Sequence, residues 1–110
     1  KDSGAAMLAL LAEVAAADPR LAPTAARLQE ATATLVGLAR DDAEAANSLA
    51  VPYLEACGWL LGGWMLVRAA AAEPDHAALA GFYLARLLPR AQARCTEIAQ
   101  GALVLPPMLR

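Results

Sequence analysis

With 110 residues, 59% of them hydrophobic and only 5% aromatic, the chain has the length for one domain around one core and not for two. A formal net charge of −2 and a pI near 5.2 exclude the field that holds a phosphate backbone, and no basic stripe interleaved with aromatics occurs. Nucleic acid is therefore not an expected partner.

The apolar spacing predicts four helices. The first runs from about Ser3, a suitable N-cap, to Ala17, with Met7, Leu10, Leu11 and Val14 on one face. Asp18-Pro19 ends it. The second starts at Pro23-Thr24 and runs to Arg40, carrying Leu28, Ala31, Leu35 and Leu38. A third runs from Asp41-Asp42 to Ala72 and should kink around Pro52, which offers no N–H to the Ser48 carbonyl. Glu73-Pro74-Asp75 makes the turn. The fourth spans Asp75 to Gln100 with a kink at Pro89, closed by Gly101 and the Pro106-Pro107 pair. No strand pattern competes, and short connections imply antiparallel neighbours. The expected fold is all-α, an antiparallel up-down four-helix bundle forming a single domain over residues 1–110.

The third helix is apolar nearly all round, which predicts that it is the most buried element. Leu49, Tyr53, Ala56, Leu60, Trp64 and Val67 share one face; Glu55, Trp59, Gly62 and Leu66 share another about 140° away at 100° per residue. Trp64 is expected in the core and Trp59 at its edge, beside Glu55. Gly58, Gly62 and Gly63 each cost about 1 kcal/mol relative to Ala inside a helix, so they should admit a close backbone neighbour. The uncharged run from Ala56 to Val67 is shorter than the roughly 18–20 apolar residues of a span, which reads as a core helix and not a membrane span. No secretory signal pattern is present.

On the fourth helix Ala80, Leu84, Leu87, Ala91, Cys95 and Ile98 form the core stripe. Leu79, Phe82, Tyr83, Arg86, Arg90 and Glu97 lie opposite. Two aromatics and two arginines pointing away from a core are the residue types enriched at interface centres. Trp59, Leu79, Phe82, Tyr83, Arg86 and Arg90 are the candidate interface; a helix wrapped on both sides would place the same residues inside.

Little supports chemistry. His76 is the lone histidine and sits where capping and exposure are expected rather than base work. One His with Cys57 and Cys95 makes no zinc set, and both cysteines fall inside apolar runs, where free buried thiols are expected. Gly58 to Gly63 lies inside a helix and cannot cradle a phosphate. Glu13, Glu30, Glu55 and Glu97 stand singly, without the Glu-x-x-His pairs of a di-iron bundle. The chain is expected to hold no catalytic, cofactor or metal residue of its own.

Ala50, Tyr53-Leu54, Gly58 and Gly63-Trp64, followed in order by Ala80-Gly81-Phe82-Tyr83, Arg86 and Leu88-Pro89, resemble the C-terminal extension of a subgroup of bacterial acyl-CoA dehydrogenases, the acetyl-CoA dehydrogenase C-terminal-like domain. The resemblance covers roughly residues 45 to 102, and the Ala-Leu helices before it are compatible. It implies a parent enzyme of fatty acid metabolism that uses FAD to oxidise an acyl-CoA across its α,β carbons, with a glutamate base and flavin contacts in preceding domains. The chain then reads as a C-terminal fragment of a cytoplasmic oxidoreductase. Its implied partners are the remainder of the dehydrogenase and further copies in a homo-oligomer, and its role is packing, oligomer shape, or bordering the acyl-CoA entrance. The alternative is a free-standing helical module that dimerises or binds an apolar ligand between its helices.

Overall fold

The computed structural model describes residues 4–102. The expected cap at Ser3 and the Pro106-Pro107 stop lie outside the described residues. The helices are α1 (Ala5–Ala17), α2 (Ala22–Asp41), α3 (Ala43–Ser48), α4 (Ala50–Ala72), α5 (Ala77–Arg86) and α6 (Leu88–Gly101), with a 3-10 turn at Pro74–His76 between α4 and α5. No strand occurs among the described residues.

Each of the two long helices expected from sequence is two helices here. The chain breaks at Leu49 (φ −100°, ψ 1°) and at Leu87 (φ −105°, ψ −31°), upstream of Pro52 and Pro89. Both prolines thereby fall in the first turn of a new helix, where a missing N–H leaves no carbonyl unpaired, instead of inside a bent one. The second break also shifts the phase of the core stripe: Leu88, at 5% exposure, takes the buried place expected for Leu87, which is only half-buried.

Asp42 caps α3 by accepting from the Ala45 amide at 3.1 Å. Gly4 precedes α1 with φ +79°, a left-handed conformation that glycine adopts without strain. An added Cβ there would lie 3.1 Å from the side chains of Thr32 and Val36, so the start of α1 is set against α2. At the other end, Gly101 of α6 lies against Leu49 at the start of α4, so those two helices run in opposite directions.

Leu11 and Val14 of α1, Ala25 and Leu28 of α2, Ala56 and Leu60 of α4, and Ala91 and Ile98 of α6 are all within 1% of full burial. Leu21, between α1 and α2, is fully buried as well. Each fully buried Leu, Ile or Val contributes about 1.5–3 kcal/mol, and the alanines let the helix axes approach closely. The described residues measure 55 × 27 × 17 Å along their principal axes. The thinnest direction holds about two helix diameters, so every helix keeps an outer face.

That geometry corrects the expectation for α4. Val51, Leu54 and Met65 are each 66% exposed, because a two-layer slab has no third layer to cover the far side of an all-apolar helix. At 23 residues α4 is also long and apolar enough, by length and composition, to cross a membrane. The shorter run counted from sequence stopped at Glu55 and Arg68, which the helix includes.

Two polar clusters fix helix register inside the slab. Arg27 of α2 donates to Gln92 Oε1 at 3.2 Å and to Thr96 Oγ1 at 2.9 Å, while Gln92 Nε2 donates to the buried Thr24 hydroxyl at 3.1 Å. Thr32 gives its one hydroxyl proton to the Leu28 carbonyl at 2.7 Å, so Tyr53 of α4 is the donor in the 2.6 Å contact between their hydroxyls. No buried side-chain nitrogen or oxygen among the described residues lacks a partner.

Candidate interaction surface

The six residues singled out from sequence divide into two groups. Trp59, Tyr83 and Arg90 come together along the seam where α4 meets α5 and α6. Leu79, Phe82 and Arg86 face outward on α5.

The seam is built from α4 positions one turn apart. Gly62 leaves room for the Tyr83 ring, since a Cβ added there would stand 2.5 Å from the phenolic oxygen. Lying over that gap, Tyr83 donates its hydroxyl to the Trp59 carbonyl at 2.7 Å. Its ring meets the Trp59 ring at 6.2 Å between centroids, tilted by 49°. Arg90 of α6 places its guanidinium 5.2 Å from the centroid of the Trp59 ring. One turn further, Arg94 reaches Glu55 at 3.9 Å and Glu97 at 2.6 Å. Trp59 is thus beside an arginine, and the carboxylate expected as its neighbour pairs elsewhere. Burial pushes the Tyr83 phenol up from its ordinary range, which keeps it protonated as a donor.

These three residues touch one another within the chain, Trp59 and Tyr83 half-buried and Arg90 exposed, because α4 supplies a glycine and a spare carbonyl lone pair where Tyr83 arrives. On the outer side Leu79 is 51% and Phe82 54% exposed, and the Arg86 guanidinium sits 5.7 Å from the Phe82 ring. Val51, Leu54 and Met65 are exposed apolar residues that the sequence reading left out. Their spacing on α4 was a usable signal, hidden because the whole helix is apolar.

Among the described residues no three His, Cys, Asp or Glu side chains come together to hold a metal ion. His76 lies exposed in the 3-10 turn. Cys57 and Cys95 are free and buried, and burial pushes both thiols up from their ordinary range. An open cavity of about 290 Å³ lies between Arg27, Glu30 and Thr34 of α2 and Cys95, Ile98 and Ala99 of α6. It is at the lower end of small-ligand pockets.

The glycine run of α4 does not fit the diphosphate of FAD. Gly58, Gly62 and Gly63 all lie inside α4, where backbone N–H groups are used by the helix and cannot hold a diphosphate.

The described residues form an all-helical domain with a packed inner seam and outward apolar residues. The family model described as acetyl-CoA dehydrogenase C-terminal like matches residues 4–106, and the chain belongs to that family. Membership links it to the FAD-dependent acyl-CoA dehydrogenases. No curated protein and no solved structure matches the chain.

Proposed function

We propose that this chain is a non-catalytic C-terminal accessory domain of a FAD-dependent acyl-CoA dehydrogenase, serving domain packing and oligomer assembly. In this reading it folds as an up-down antiparallel bundle whose four columns are α1, α2, α3 with α4, and α5 with α6. The remainder of a cytoplasmic dehydrogenase is its partner, and flavin and catalytic base belong to that remainder. The observation that carries the role is the outer face of α5. Leu79 and Phe82 stay half exposed there, with Arg86 over the Phe82 ring, a combination of apolar area and cation common at interface centres.

The docking role is tested by Phe82→Ser with Arg86→Glu. Both side chains are on the outside, so the helicity of the isolated chain should be nearly unchanged. The full-length dehydrogenase carrying both changes should assemble more weakly, seen as a lower mass in light scattering. Unfolding of the isolated chain, or unchanged assembly of the enzyme, would remove the role assigned to this face.

The competing reading, a free-standing interaction module, draws support from the exposed residues of α4. A reading frame that encodes a flavin dehydrogenase core in continuity with this chain decides for the first; its absence decides for the second.

A further inference from the structure

From His76 to Thr96 the chain carries Arg86, Arg90 and Arg94 and no Asp or Glu, although its net charge is −2. Arg94 is neutralised by Glu97 at 2.6 Å and Glu55 at 3.9 Å. Arg86 and Arg90 are not. Both are exposed, and among the described residues neither guanidinium forms an ion pair. Each instead stands over an aromatic ring, Arg86 at 5.7 Å from the Phe82 centroid and Arg90 at 5.2 Å from that of Trp59. The contact of Tyr83 with Trp59 joins the two pairs, since Tyr83 follows Phe82 on α5.

We propose that the edge formed by Leu79, Phe82, Arg86 and Arg90 docks on an acidic protein surface, an apolar patch bordered by Asp or Glu side chains, in the part of the dehydrogenase outside this chain. The proposal names the chemistry of the partner in the docking role proposed above and rests on that reading.

The state of the two arginines selects the partner. A ring face holds a guanidinium in place but does not replace an oxygen acceptor, so the N–H donors of both side chains are left for water or for a partner. Five donors in a planar fork match a carboxylate in two parallel bonds. Leu79 at 51% and Phe82 at 54% exposure supply the apolar area beside them, and the rings limit the freedom the arginines lose on docking.

The sign of the charge argues against a second copy at this face. A two-fold contact sets a patch against itself, and a patch with two cations and no anion repels itself. The nearest acidic group a head-to-tail copy could offer is Asp41, Asp42 and Glu44, which precede α4 where α5 follows it. One of these three, Asp42, is already engaged in capping α3. Nucleic acid and anionic lipid are held by many cations acting together, whereas two guanidiniums beside an exposed leucine and phenylalanine in an acidic chain fit a protein patch of similar size.

Lys1 is the only lysine of the chain, so an amine placed at 86 or 90 reports on its neighbours without interference. The full-length dehydrogenase carrying Arg86→Lys and Arg90→Lys, treated with a water-soluble carbodiimide and digested, should give an amide cross-link from position 86 or 90 to an Asp or Glu outside residues 1–110, read by mass spectrometry. In the same enzyme Arg86→Gln with Arg90→Gln should raise the dissociation constant of assembly about tenfold at low salt. The lysine pair should keep most of the wild-type affinity, and the gap between glutamine and wild type should close at about 1 M NaCl, where screening acts within ~3 Å.

No cross-link from either position would overturn the acidic partner. So would a cross-link to Asp41, Asp42 or Glu44 of a second copy, or assembly indifferent to the glutamines at every salt concentration. Phe82→Ser alone separates this result from the parent reading. Weaker assembly with Phe82→Ser and none with the glutamines leaves the docking role standing and removes the acidic partner, while assembly indifferent to all of these changes removes both.

Discussion

Leu60→Ala should destabilise the chain by about 2–5 kcal/mol, the range for emptying a buried leucine. Leu60 has no exposed surface and lies midway along the inner face of α4. Two of its neighbours one turn away, Ala56 and Gly63, have little or no side chain to swing into the space. The cavity therefore stays largely open, which places the cost toward the upper part of the range. Against a total of roughly 5–15 kcal/mol for a domain of this size, the loss is a large share. Urea melts followed by far-UV circular dichroism should show the midpoint falling with an unchanged slope. The two tryptophans do not offer so clean a test. Trp64 and Trp59 are both only partly buried and both carry an arginine over the ring, so the contrast of a core Trp64 with an edge Trp59 expected from sequence is not seen.

Ala91→Leu is the opposite experiment and should cost about 1–3 kcal/mol through overpacking. Ala91 has no exposed surface, and neither do Ala25 of α2 nor Ala56 of α4. In a slab this thin, three alanines at zero exposure mean that helix axes are already as close as a methyl group allows. A leucine must push α6 away from α4 and α2, stretching the Arg27, Gln92 and Thr24 contacts on the way. Ala93→Leu, two residues along on the exposed side of the same helix, should stay within about 0.5 kcal/mol. Equal losses at the two positions would show that α6 is not packed through Ala91.

The inner faces of the helices were readable from sequence because a 3.6-residue period reports which side of one helix is apolar. Leu11 and Val14, Leu28 and Ala31, Ala56 and Leu60, and Ala80, Leu84, Ala91, Cys95 and Ile98 are buried as their spacing requires. The same period says nothing about which helices touch or at what register. That is why the contact of Trp59, Tyr83 and Arg90 with one another was not legible: it depends on Gly62 lying under Tyr83. It is also why α4 read as fully buried, since an all-apolar helix gives no sign of how many layers surround it. Pro52 and Pro89 marked the right neighbourhoods for interruption, but a proline disturbs the helix before it, and the breaks fell at Leu49 and Leu87.

The resemblance on residues 45 to 102 rested on aromatics, glycines and prolines in order, and the family match extends it to residues 4–106. The alanine and leucine helices that carry no distinctive residues are thus part of the family pattern too. Their contribution is the floor on which α4 and α6 pack, through Leu11, Val14, Leu21 and Leu28.

A non-catalytic role is tested most directly by purifying the 110-residue chain after incubation with excess FAD and assaying it with acyl-CoA and an artificial electron acceptor. With Gly58, Gly62 and Gly63 inside α4 and its two thiols buried, the chain should emerge colourless and reduce no acceptor. A yellow protein whose flavin absorbance bleaches on adding acyl-CoA would contradict the reading at its root.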